Sequence, residues 1–237
     1  MFITTQGIVL RTYPFRDKKL IAKIFTRDFG LISCIIKKNP GQIMLSELLT
    51  IAEITYKKSR NQNMFYLKEV RVEYVYGSLT RNPKKIQCAI MLCEILTKCL
   101  NEKNIEIYLF IINGFKFLDQ QKDTWTGFES LFLIKICHVL GIQPLMDDRI
   151  SKEDTFVLNI ESGVFEVFVG QKGDMVVPPK ESLEIYSLSE IPFESLASYS
   201  ITENLNARVL NYLILYISSH LANLSNLKSL KILKQLI

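Results

Sequence analysis

"RNPKKIQCAIMLCEIL", Arg81 to Leu96, is where the chain changes character. Asn82 followed by Pro83 is a helix start: the amide side chain can accept backbone N–H bonds, and proline at the first helical position gives up a donor that would be unpaired anyway. From Ile86 onward the apolar residues at 86, 89, 90, 93, 96 and 100 share one helical face. Cys88, Leu92, Ile95 and Cys99 form a second face. A helix that is apolar nearly all round belongs in a core.

Upstream of this point the pattern is that of strands. Ile3–Thr12 is strand-like and is followed by a turn at Tyr13-Pro14-Phe15-Arg16-Asp17. Leu20–Phe25 alternates apolar and polar residues, as a sheet with one wet face does. Gly30 turns the chain into Leu31–Ile36, which ends in Lys37-Lys38 and breaks on Asn39-Pro40-Gly41. Leu48–Tyr56 and Met64–Tyr76 complete five strands, with the basic turn 57–63 between the last two. Short spacing without long intervening helices predicts a small antiparallel barrel.

Downstream, Ile105–Leu118 reads as a helix. Thr126 to Glu129 has capping-box spacing, and Phe128–Leu140 continues as a helix ended by Gly141. "TFVLNIESGVFEVFV", Thr155 to Val169, has two alternating segments around Glu161-Ser162-Gly163, a hairpin signature. Helical patterns return at Thr202–His220 and Ser225–Ile237. The expected fold class is α+β: an N-terminal OB-fold, a five-stranded β-barrel over residues 1–80, followed by a helical domain over 81–237 with a β-hairpin insertion at about 155–170.

Composition narrows the function. At 237 residues and 48% hydrophobic there is ample core material, and the apolar runs are too short to span a bilayer. The N-terminus lacks the layout of a signal peptide, so a cytoplasmic, non-membrane protein is expected. Five cysteines without CxxC spacing read as reduced thiols rather than disulfides or a zinc site. Of the two histidines, His138 lies in an apolar stretch where a satisfied core or boundary role suffices, and His220 sits at a helix end, where it can favour the negative end of the dipole. Cys137 is adjacent to His138, but neighbours on a helix diverge by about 100° and cannot form a nucleophile–base pair. Asp147-Asp148 lacks a third ligand, and Gly170–Gly173 lacks the strand–turn–helix context of a phosphate loop. No cofactor, no metal and no enzymatic activity are expected.

Binding remains. The net charge of +5 is unevenly placed: residues 1–82 hold 14 of the 29 Lys/Arg but only 6 of the 24 Asp/Glu. A basic barrel suits nucleic acid, with cations on phosphates and aromatics stacked on bases. The candidate phosphate contacts are Arg11, Arg16, Lys18, Lys19, Lys37, Lys38, Lys57, Lys58, Arg60 and Arg81. The nearby aromatics are Tyr13, Phe15, Phe65 and Tyr66, of which Phe65 reads as core.

"TQGIVLRT", "LIAKIFTRDFGLISCIIKK", "LKEVRVEYVYGSL" followed by "NPKKIQCAIMLCEIL", and the C-terminal "HLANLSNLKSLKILKQLI" together resemble the bacterial DNA repair protein RecO family, in its Bacteroidetes-type variant. The resemblance implies a recombination mediator that binds single- and double-stranded DNA and anneals complementary strands. It implies that RecR is a partner, that RecA is loaded indirectly onto DNA coated by single-strand-binding protein, and that the acidic C-terminal tail of that protein is contacted. For this tail the candidates in the helical domain are Lys135, Arg149, Arg208 and Lys228. Lys37 and Lys38 stand at the start of the family's Lys-Gly-x-Arg stretch, where this chain continues as Asn39-Pro40-Gly41-Gln42. The four cysteines that hold zinc in many members have no counterpart here. The rival reading is a non-catalytic protein-interaction scaffold with little DNA contact.

Overall fold

The computed structural model describes residues 2–16, 18–58, 64–122, 125–151, 153–170, 173 and 175–227. They fall into two compact units, one made of the residues up to Gln120 together with Leu227 and the other spanning Gln121–Asn226.

The first unit is built on a closed barrel of β1 (Phe2–Pro14), β2 (Lys19–Thr26), β3 (Gly30–Lys37), β4 (Ile51–Lys58) and β5 (Met64–Tyr74), in the order β1-β2-β3-β5-β4. Strand β3 runs parallel to β5, and the other pairs are antiparallel. This is the OB-fold arrangement that the sequence leads one to expect. Alternation explains it: Ala22, Ile24, Ile32, Cys34, Ile36, Ala52, Ile54 and Tyr56 all point inward and are buried. Phe65 packs on this core, its ring 4.9 Å from that of Tyr56. Burial pushes the Cys34 thiol up to about 12, which makes it a small hydrophobe rather than a nucleophile.

One strand starts later than expected. Leu48–Thr50 lie outside β4, because a 3-10 turn at Ile43–Ser46 drops Leu45 into the barrel. Leu49 then takes a left-handed conformation, with its N–H bonded to the Val9 carbonyl at 2.7 Å.

Helices α1 (Pro83–Cys99) and α2 (Ile105–Gln120) belong to the barrel's unit. The Asn82 side chain caps α1 by accepting from the Lys84 and Lys85 N–H groups. The helix buries most of both its apolar faces, but Ile90 is exposed. At the strand-to-helix junction, buried Asp119 accepts from the N–H groups of Gly77, Ser78 and Leu79 and from the Tyr74 hydroxyl.

The second unit contains α3 (Phe128–Val139), α4 (Pro179–Glu190) and α5 (Glu203–His220). Four short strands, β6 (Leu145–Met146), β7 (Phe156–Asn159), β8 (Val164–Val167) and β9 (Val176–Val177), pair in the order β6-β8-β7-β9. The hairpin β7–β8 turns at Gly163, where φ is +70°. It is the centre of a four-stranded sheet rather than an isolated insertion, because β6 and β9 cover its two edges. The expected cap at Thr126 is not used: α3 starts from Gly127, at φ +92°, without a side-chain cap. Helix α4 has no counterpart in the sequence reading, since Ile185 and Leu188 are its only fully buried apolar residues and give too thin a stripe. Thr202 caps α5, and His220 in its last turn is 2.6 Å from the Ile160 carbonyl rather than simply facing the helix end. The helix expected over Ser225–Ile237 lies mostly outside the described residues. Among the described residues no helix is long and apolar enough to cross a membrane.

Candidate nucleic-acid interface

Strand register decides which cations meet. Lys19 and Lys37 are direct cross-strand partners on β2 and β3. The Lys38 N–H donates to the Lys18 carbonyl at 3.1 Å, so the pairing continues beyond the strand ends. Four lysines from two distant segments thus share one corner of the barrel. The turn between β1 and β2 adds Arg16, whose left-handed backbone lets Phe15 and Lys19 bond across it and whose guanidinium lies 5.2 Å from the Phe15 ring centre. Lys18, Lys37, Lys38 and Arg16 are exposed and Lys19 is half-buried. Among the described residues none of these five forms an ion pair with a carboxylate, so their charge faces solvent.

Gln42 holds this corner in place. Its side-chain oxygen accepts from the Lys37 N–H at 2.8 Å, and its amide donates to the Leu67 carbonyl at 3.1 Å. Asn39-Pro40-Gly41 therefore carries the chain straight into the 3-10 turn that plugs the barrel. What replaces a longer basic loop is a short, fixed exit from β3.

Arg11 is opposite Lys23 on the outer face, which continues the positive surface along β1 and β2. Lys23 was not among the sequence candidates, although the alternation of Leu20–Phe25 already placed it on the wet face. Lys57 is opposite Tyr66, and Tyr66 opposite Ile35, so Lys57 lies two strands from Lys37. Arg81 is elsewhere: it follows the far end of β5, eight residues of strand beyond Tyr66, or about 26 Å at about 3.3 Å each. The side chain of Lys58, and Arg60 and Lys228 altogether, lie outside the described residues. Tyr13 and Tyr66 are exposed and Phe15 is half-buried. The other flank of the barrel is mixed in charge, with Glu53 opposite Arg71 in the β4–β5 register and Gln6 bonded to Glu73.

In the second unit Lys135 lines a cleft of about 380 Å³, with Ile134, Leu145, Met146, Phe165 and Tyr186 as apolar walls and His138 and Glu190 at its polar edge. The Lys135 ammonium donates to the Ser189 carbonyl at 2.6 Å. Burial lowers its pKa and nearby Glu190 opposes that shift. Arg149 is engaged by Asp147 at 2.6 Å, which holds that carboxyl down at about 2. Arg208 is engaged by Glu181 at 2.6 Å and by Asn204. Of these three cations only Lys135 faces the cleft. His138 is exposed and pairs with Gln143, so of the core and boundary roles expected for it the boundary one holds. Among the described residues no group of three or more His, Cys, Asp or Glu is placed to hold a metal.

Comparison with known proteins adds an independent line. Residues 1–76 match the family described as Recombination protein O N terminal, and residues 81–231 match Recombination protein O C terminal. The chain is similar to the DNA repair protein RecO of Christiangramia forsetii, at 28% identity over 244 residues covering 100% of this chain and 99% of the relative. It is similar to that of Phocaeicola vulgatus at 26% identity, covering 100% and 99%, and to that of Porphyromonas gingivalis strain W83 at 25% identity, covering 93% of each. With both family matches in chain order on an OB-type barrel and a helical second part, the chain belongs to the RecO family of DNA repair proteins.

Proposed function

We propose that this protein is a recombination mediator whose barrel binds single- and double-stranded DNA and brings complementary strands together. The observation that carries the reading is the lysine corner: β2–β3 pairing sets Lys19 opposite Lys37, the Lys38–Lys18 backbone bond brings the other two beside them, and among the described residues none of the four pairs with a carboxylate. Such a corner neutralises phosphates and releases counterions. Neutralising two strands at once lowers their mutual repulsion, which promotes annealing without a covalent step, so the protein acts as a non-enzyme in the cytoplasm, at the nucleoid. RecR is the expected co-mediator, and RecA is loaded as an indirect consequence. The cleft beside Lys135 seats the acidic tail of single-strand-binding protein, with apolar walls for its aromatic side chain and the ammonium for its carboxylates.

Gel shift with a single-stranded oligonucleotide at low and moderate salt tests the DNA reading. A shift that weakens steeply with salt, and that Lys37→Ala/Lys38→Ala reduces, is expected. No salt-sensitive shift leaves the scaffold reading instead. Annealing of complementary strands coated with single-strand-binding protein tests the mediator step, and Lys135→Glu is expected to weaken capture of a tail peptide.

A further inference from the structure

The barrel carries a second arrangement that the lysine corner does not use. Phe2, Lys57 and Tyr66 are direct cross-strand partners on β1, β4 and β5, so their side chains rise in one row on the outer face. The two rings are left in water, Phe2 54% and Tyr66 51% exposed, and Lys57 between them is exposed too. Lys68 lies over the Phe2 ring at 4.6 Å and also pairs with Glu69 at 3.0 Å. On the other side Tyr66 is opposite Ile35, two residues along β3 from Lys37. The row therefore joins the lysine corner at one end.

We infer that Phe2–Lys57–Tyr66 is a base-stacking ladder that selects unpaired nucleic acid over duplex. This rests on the DNA-binding reading above and adds strand selectivity to it. Two strand spacings of about 4.8 Å separate the backbone positions from which the two rings rise. That is close to three stacking steps of about 3.4 Å along a nucleic-acid strand. An unpaired strand can lay one base on Tyr66 and another on the side of the Phe2 ring away from Lys68 while a phosphate meets Lys57, and its path continues onto Lys37. A duplex buries its base faces within its own stack, so it meets only the lysines. Cation and ring alternate along the row, which matches a ligand that alternates phosphate and base. Glu69 is the nearby carboxylate, and its pairing with Lys68 leaves Lys57 as the cation between the rings.

The test compares three probes of equal length and charge per strand: oligo-dT, the same backbone with abasic sites, and a duplex. Wild-type protein is expected to bind oligo-dT about tenfold or more tighter than the abasic strand. Phe2→Ala/Tyr66→Ala is expected to erase that difference, leaving duplex affinity and the salt slope unchanged because no phosphate contact is lost. Phe2→Tyr/Tyr66→Trp, which keeps both π-faces, is expected to retain the preference and controls for folding. Equal wild-type affinity for the oligo-dT and abasic strands overturns the ladder while leaving the DNA reading intact. So does a parallel loss on strand and duplex in the alanine variant. Wild-type protein that binds none of the three probes overturns both.

Discussion

Asp119 shows how much a single side chain organises. Burial by itself would raise its pKa, but the N–H groups of Leu79, Gly77 and Ser78 and the Tyr74 hydroxyl outweigh that and hold it below the ordinary carboxylate value. Ser78 in turn donates to the Asp119 carbonyl and accepts from the buried Lys85 ammonium at 2.7 Å. Asp119→Asn keeps the shape but not the charge, so it should cost about 2 kcal/mol at neutral pH in a urea unfolding experiment. The folded pKa is depressed, so this stabilisation is present above the unfolded value of about 3.9 and is lost as pH falls through the folded pKa. The gap between wild type and Asp119→Asn should therefore close below about pH 4. A gap that stays constant from neutral to acid would contradict this. Nothing in the sequence marked Asp119, because its partners are some 40 residues away and its "FLDQQ" context resembles any helix end.

At the level of elements, the turn between β2 and β3 illustrates a constraint that local pattern half revealed. The sequence marks Gly30 as a turn residue, and it adopts φ +70°. The tighter demand is tertiary: a Cβ there would run into the backbone of Asn101–Lys103, and the Leu31 N–H donates to the Asn101 carbonyl at 3.1 Å. Gly30→Ala should destabilise the protein by about 3 kcal/mol, combining a left-handed penalty of about 1 with overpacking of about 2. A melting temperature within a degree of wild type would refute that. Elements with strong periodicity were legible in the same way. The five strands and helices α1, α2, α3 and α5 were all anticipated because their apolar repeats are long. Helix α4 was not, because Glu181 and Ser182 take buried positions through specific bonds: Glu181 to Arg208, and Ser182 to the Leu158 N–H and Val177 carbonyl. A buried polar residue reads as surface until its partner is known.

Across the whole molecule, charge is the property with functional reach. The excess of Lys and Arg in residues 1–82 becomes a local field only because β2–β3 pairing converges Lys18, Lys19, Lys37 and Lys38, while Arg81 is carried to the far end of β5. Each phosphate contact on a single strand contributes about −0.7 to the slope of log affinity against log salt. Lys19→Ala/Lys37→Ala/Lys38→Ala should therefore flatten that slope by about 2, one contact per lysine, in a fluorescence-anisotropy salt titration. Arg81→Ala should leave it within about 0.2 of wild type. An equal effect from Arg81→Ala would mean that DNA wraps well beyond the corner.

The sequence alone determined the local facts: the strand and helix periods, the break at Asn82-Pro83, the basic bias and the family pattern. The periods and the helix start depend on residues within a turn or two of one another, where sterics and hydrogen bonding act directly, and the charge bias and family pattern are properties of the linear sequence itself. Tertiary structure alone decided which cations are neighbours, that Gln42 locks the exit from β3 against Leu67, that Phe2 joins Lys57 and Tyr66 in one row, and that Lys135 lines a cleft while Arg208 is paired with Glu181. Those facts depend on strand register and on helix packing between segments far apart in the chain. A one-residue slip in strand pairing would turn the side chains of the slipped strand, Lys37 or Tyr66 for example, to the opposite face.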